Sequence, residues 1–230
     1  MAPKLAKKRP ETGWGEMLPG WFDAKTVVVK NHARNGRSTR TFIEQGRWQA
    51  LLEITRPGDY VFIQFGHNDQ SKRKVDRYTP PEQYRANLER FVAEVRERRA
   101  IPVLMTPVVR RRFDESGAFY DSHGDYPDDV RQVAESTGTT LLDMENSSRE
   151  VLRARGAEES KSLYLWLAPG AHANYPDGLQ DNTHFSPKGA RVMATVAVSN
   201  LRASGLPLAD LLRDKAVRVE PVAGDFSGDP

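Results

Sequence analysis

Short apolar runs alternate along the chain with longer stretches in which apolar residues recur every three or four positions. Thr26–Val29 is β-branched between polar flanks and predicts a buried strand; Asp59–Phe65, Ile101–Met105 and Thr140–Asp143 predict three more. Helical spacing begins at Thr39 and continues through Trp48, Leu51, Leu52 and Ile54. In Pro81–Arg98 it places Tyr84, Leu88, Phe91, Val92 and Val95 on one face. Asp128–Thr137, Asn146–Arg155 (stopped by Gly156) and Ser186 to about Gly205 complete the helices. Thr41 with Glu44 fits a capping box, and Ser186 before Pro187 reads as an N-cap with proline in the first turn. Gly13–Leu18 leads into a short apolar segment that is broken at Pro19-Gly20 and ends near Phe22. Met1–Pro10 reads as a solvated basic arm, Arg110–Tyr126 as a charged loop that lines a cleft or stays mobile, and Ser162–Gln180 as a long irregular segment. Phe226–Pro230 reads as a frayed tail. Strands alternating with helices imply an α/β fold with a parallel sheet covered on both faces, in a single domain over residues 1–230.

Composition narrows the function classes. The 230 residues are enough for one large core. Hydrophobic content is 38% and mean hydropathy −0.63, with no apolar run near the roughly 20 residues of a membrane helix and no signal-peptide core after the basic start. These features predict no membrane partner. A formal charge of +3 is too thin an excess to indicate nucleic acid, yet it does not repel an acidic substrate. The absence of cysteine excludes disulfides, thiol catalysis and cysteine-based zinc sites. Neither the compartment nor the oligomeric state can be read from composition.

In open α/β sheets, function gathers at the carboxyl ends of the strands. Three polar clusters are expected on that edge: Asn35–Ser38, Gly66–Asp69 and Asp181–His184. Asp181 stands three residues before His184, in what reads as a short loop feeding the last helix. From there it can accept from His184 Nδ1–H, and a carboxylate that fixes a histidine tautomer prepares a general base; the plainer reading is a capped surface loop with an incidental histidine. Gly36 follows a strand and can turn its N–H toward a developing oxyanion, and Asn68 can offer a side-chain N–H to the same oxygen. An ordinary tight turn and an Asx-turn are the plainer readings of these two. His67 is expected to brace its loop and Asp69 to hold it by hydrogen bonding. A mixed metal site from His67, Asp69, Asp181 and His184 matches no familiar zinc spacing. No pair of acids at strand ends suggests a glycosidase.

In combination, the Gly36 turn, Gly66-His67-Asn68-Asp69 and Asp181-x-x-His184 resemble the second, third and fifth blocks of the SGNH (GDSL-like) hydrolases. Asn35–Phe42 and Trp14–Leu18 resemble the rhamnogalacturonan acetylesterase branch, and the likeness runs from about Pro3 to Leu212. The resemblance implies a flavodoxin-like three-layer α/β/α sandwich that needs no metal or other cofactor. It also implies removal of acetyl esters from pectic polysaccharide, with His184 as base, Asp181 orienting it, and Gly36 and Asn68 as oxyanion donors. Arg37, Ser38 and His67 are the implied substrate contacts. A secreted or periplasmic location goes with the family. The family's first block, Gly-Asp-Ser on the first central strand, carries the nucleophile. Met1-Ala2-Pro3-Lys4 resembles the stretch just after that block, and no Gly-x-Ser-x-Gly elbow occurs elsewhere. The nucleophile and its strand are therefore expected upstream of Met1, which would leave this chain inactive or crippled by itself. A non-catalytic carbohydrate-binding descendant is the first alternative. A GDSL-type lipase or thioesterase is the second, but Arg37, Arg40, Lys72, Arg73, Arg110, Arg111 and Arg112 suit acidic sugars better than an acyl chain.

Overall fold

Three of the four predicted strands pair in parallel: β1 (Tyr60–Gln64), β2 (Ile101–Met105) and β3 (Thr140–Leu142), in the order β1-β2-β3. Tyr60 stands opposite Ile101, and Val103 opposite Thr140. The central strand is covered on both faces, so Val103, Leu104 and Met105 are all fully buried, as expected of an unbroken apolar run in a parallel sheet. In the computed structural model, residues 1–215 are described; the predicted tail Phe226–Pro230 lies outside them.

The chain divides into two compact units. The parallel sheet belongs to the unit made of Asn35–Val108 and His123–Asn146. Helices α1 (Thr39–Glu44), α2 (Arg47–Ile54), α3 (Pro81–Glu97) and α4 (Tyr126–Thr137) lie in the same unit. The predicted face of α3 is the buried one. It joins Val61, Ile63 and Leu104 of the sheet and Val130 and Val133 of α4 in one core, with Trp48 of α2 stacked on Phe91 at 3.9 Å between ring centroids. Burial of such side chains contributes roughly 1.5–3 kcal/mol each. The fold is thus α/β with a parallel sheet and covering helices.

The other unit comprises Met1–Arg34, Val109–Ser122 and the chain from Ser147. It holds an antiparallel pair, β4 (Tyr164–Leu167) and β5 (Leu179–Phe185), and helix α6 (Pro187–Ala203). Helix α5 (Met144–Glu159) begins in the sheet-bearing unit and is broken where predicted, at Gly156 with φ 66°. Ser186 caps α6 as expected, accepting from Gly189 N at 3.1 Å.

Several expectations are corrected. Thr26–Val29 is not a strand, and Val28 is 72% exposed. β-propensity expresses the fit to a paired, half-buried surface, and this segment joins no ladder among the described residues. Ser162–Gln180 is not irregular throughout, because Tyr164–Leu167 is a strand. The segment Asp181–His184 lies within β5 rather than in a free loop. Met1–Pro10 is not a solvated arm: Ala2 and Lys4 are buried, and Lys4 pairs with Glu11 at 2.6 Å. The cap of α1 is Ser38 with Thr41, since Ser38 N donates to Thr41 Oγ1 at 2.9 Å and Thr41 N to Ser38 Oγ at 3.2 Å. Glu44 pairs with Arg40 instead.

The first turn of α6 is pressed onto the start of the β4–β5 pair. Ser186 N and Oγ donate to Leu163 O and Ser162 O, and a Cβ on Gly189 would be driven into the Leu163 carbonyl. Ordinary helix propensity favours alanine over glycine by about 1 kcal/mol. Here the backbone contact reverses the sign. Gly189→Ala is expected to destabilise the fold by about 1–3 kcal/mol in urea unfolding. Unchanged or increased stability would show that the approach is looser than described.

Candidate active site

The contact between Asp181 and His184 depends on an irregularity in β5. Tyr164 pairs with Phe185 but Leu165 pairs with Asp181, so one step on β4 is matched by four on β5. Asn182, Thr183 and His184 are therefore pushed out of the ladder as a bulge, a device that re-aims side chains. Asp181 closes it. Its Oδ1 accepts from Thr183 N at 2.6 Å and His184 N at 2.9 Å, and its Oδ2 meets His184 Nδ1 at 2.6 Å. Burial pushes the Asp181 carboxyl up. The hydrogen bond and charge of His184 and the two backbone N–H groups outweigh it and hold the group at about 2. The imidazole is 44% exposed while its carboxylate partner is more enclosed.

Asn182, not singled out from the sequence, anchors the bulge. Its Oδ1 accepts from Arg111 Nη1 at 2.8 Å and from Trp166 Nε1 at 3.0 Å, and its carbonyl accepts from Arg111 N at 2.8 Å. The Arg111 guanidinium also donates to Ala157 O and lies over the Trp166 ring, 5.0 Å from its centroid, with Lys161 Nζ 4.6 Å from the same ring. Arg111 is buried, so it serves as a structural strut and not as a cation open to substrate. Arg110 donates to Ser122 Oγ, and Arg112 is exposed.

Within the sheet-bearing unit, a second group of predicted residues is drawn together by Asp69. This carboxylate is fully buried: Oδ1 accepts from Thr39 N and Thr39 Oγ1, both at 2.7 Å, and Oδ2 from Gly66 N at 3.1 Å. Burial raises its pKa, against the pull of the Thr39 and Gly66 hydrogen bonds. Asp69 thus ties the turn after β1 to the start of α1. Asn68 Nδ2 donates one hydrogen to Arg37 O at 3.0 Å, and an amide has a second to offer. Gly36 has φ 71°, in the region that favours glycine, and a Cβ there would lie 3.0 Å from Arg77 Nη1. Arg37 is half-buried and donates to Gln45 Oε1 at 2.7 Å and Asn35 O at 3.1 Å. His67 braces as expected, its Nδ1 standing 2.9 Å from Nε2 of buried His123; the partner was not foreseen because the two lie far apart along the chain. Ser38 is fully buried in its cap, which leaves it no surface to offer a substrate. Arg40 donates to the carbonyls of Val75, Asp76 and Tyr78 and is likewise structural, whereas Lys72 and Arg73 are exposed.

The carboxylate–imidazole pair thus stands at the end of β5, and the glycine turn and the asparagine stand in the sheet-bearing unit. The chain belongs to the GDSL-like Lipase/Acylhydrolase family, which matches residues 3–192. It is 43% identical over 203 residues to rhamnogalacturonan acetylesterase RhgT of Bacillus subtilis, covering 88% of this chain and 86% of that protein. It is 37% identical over 199 residues to the probable rhamnogalacturonan acetylesterase YesY of the same organism, covering 86% and 87%. The solved structure of Bacillus subtilis YxiM superposes with a TM-score of 0.75 at 25% identity, over 90% of this chain and 55% of that one.

Asp181 makes stability depend on acid. Its folded pKa lies below the ordinary value of 3.8, so its contribution is complete above about pH 4 and is lost as pH falls toward 2. Allowing for solvent screening of the half-open pair, the loss attributable to Asp181 is about 1–2 kcal/mol. Urea midpoints at pH 7, 4 and 2.5 should fall less steeply below pH 4 in Asp181→Asn than in the wild type. Parallel slopes would exclude the pair as an acid-labile element.

Proposed function

We propose that the protein is a carbohydrate esterase that removes acetyl groups from pectic polysaccharide of the rhamnogalacturonan type. The observation that carries this reading is the 2.6 Å contact between Asp181 Oδ2 and His184 Nδ1 in a chain so close to RhgT. With its carboxyl held at about 2, Asp181 is ionised throughout the neutral range. It fixes the proton of His184 on Nδ1 and leaves Nε2 as the basic atom. His184 Nε2 would take the proton of the attacking hydroxyl, which in this family belongs to the first-block serine, and return it to the departing sugar oxygen. Negative charge then collects on the acetyl carbonyl oxygen. The Gly36 N–H and the second Asn68 N–H are the proposed donors to it, and one such donor is typically worth about a hundredfold to a thousandfold in rate. Arg37 and His67 remain the proposed substrate contacts, and a polymeric substrate goes with a secreted or periplasmic location.

The test is acetate release from acetylated rhamnogalacturonan, with acetylated xylan and long-chain acyl esters as comparison substrates, on the protein as its gene encodes it. The pectic substrate is expected to be preferred. His184→Ala should lower kcat/KM at least about a thousandfold and Asn68→Ala about a hundredfold. Preference for long acyl chains would replace the carbohydrate reading with a lipase one. Saturable binding of pectic fragments without turnover would replace it with a binding protein.

A further inference from the structure

A second carboxylate faces His184 from the side opposite Asp181. Thr12 N donates to Phe185 O at 3.0 Å, which fixes the preceding residue, Glu11, alongside the end of β5. The Glu11 side chain is 5% exposed, and its Oε1 lies 3.7 Å from His184 Nε2. Lys4 Nζ, itself enclosed, approaches the same oxygen at 2.6 Å. That contact is an ion pair without hydrogen-bond alignment, so Oε1 is a buried acceptor with no aligned donor. Burying a carboxylate in this state is costly; Lys4 supplies its charged partner, while the Glu11 backbone is held separately, its N–H donating to Lys8 O and its carbonyl accepting from Arg9 Nη1. The distance to Nε2 is informative too. A carboxylate within hydrogen-bond reach would capture the Nε2 proton and remove the atom from chemistry, whereas at 3.7 Å it acts through its charge alone.

We propose that Glu11 is a positioning residue for the His184 base: it clasps the imidazole from the Nε2 side as Asp181 does from the Nδ1 side, and Lys4 tempers it. The role rests on the reading of His184 as the general base. The clasp stabilises the imidazolium that forms when the ring accepts a proton, and leaves Nε2 open to give that proton up. Lys4 cancels part of the Glu11 charge. The other charged or titratable groups on this side are few. Tyr175, whose Oη donates to Lys8 O, has its phenol pushed up by burial first and then by Glu11 and Asp181. The Met1 amino group is brought down to about 5 by burial and by Lys4, against Glu16 and Glu11. Glu16 is tied to Arg9 at 2.6 Å. Glu11 places a carboxylate oxygen 3.7 Å from Nε2.

The experiment is an NMR titration of the His184 ring in the full chain, from pH 4 to 9, for the wild type, Glu11→Gln, Lys4→Met and Asp181→Asn. Glu11→Gln keeps the shape and removes the charge. It should move the pH of half-protonation of His184 down by about 0.5–1 unit, and Lys4→Met should move it up by a similar amount. The acid limb of kcat/KM should follow both shifts. If Glu11→Gln fails to fold, as judged by circular dichroism, the upward shift in Lys4→Met carries the test. Midpoints for both variants within about 0.2 units of the wild type, with Asp181→Asn shifted, would overturn the role of Glu11 alone. An unshifted Asp181→Asn would instead remove the base reading on which it rests.

Discussion

Three protein hydrogen bonds to one carboxylate organise the end of β5. The Asp181 side chain accepts the two N–H groups that its own bulge has released from the ladder, and with its remaining oxygen it holds the histidine that the bulge turns outward. Without an acceptor at that place the extra residues would leave donors unsatisfied, and a regular strand would put residues 181 and 184 on opposite faces. The same group therefore offsets the local cost of the irregularity and orients the imidazole. Asn182 secures the arrangement from outside, through the buried Arg111 and the indole of Trp166.

Asp69 is a useful contrast. It too accepts backbone N–H groups around a turn, yet its pKa moves up where that of Asp181 moves down. The difference is solvent and company: Asp69 is completely enclosed among neutral donors, whereas Asp181 is partly open and faces an imidazole. One carboxylate is suited to bracing a turn, the other to sharing a proton with a base. Their identical chemistry makes the two indistinguishable as letters in a sequence.

Legibility followed the range of the interactions concerned. The face of α3, the three parallel strands, the Gly156 break and the Ser186 cap are set by local pattern and were readable. So was the pairing of Asp181 with His184, because their separation is short. Thr26–Val29 misled because its strand propensity is realised only against a neighbour. The polar run of β5 concealed a strand because its pairing comes from Tyr164–Leu167, the His67–His123 contact joins positions far apart in the chain, and Lys4 meets Glu11 across a stretch that is not a regular helix. Ser38 and Arg111 carried the right chemistry for substrate contact but the wrong exposure, and exposure is a tertiary property.

The setting of Trp166 makes the site optically self-reporting. Its indole is flanked by the Arg111 and Lys161 cations, and its N–H rests on the Asn182 oxygen that anchors the bulge. Indole emission responds to nearby charge and to the state of that N–H, so the protein carries a native fluorophore one hydrogen bond away from the segment that presents His184. Trp48 is buried in the core of the sheet-bearing unit and provides emission from a cluster that includes no residue of the bulge. A change confined to Trp166 would therefore signal rearrangement at the histidine while the body of the fold stays intact.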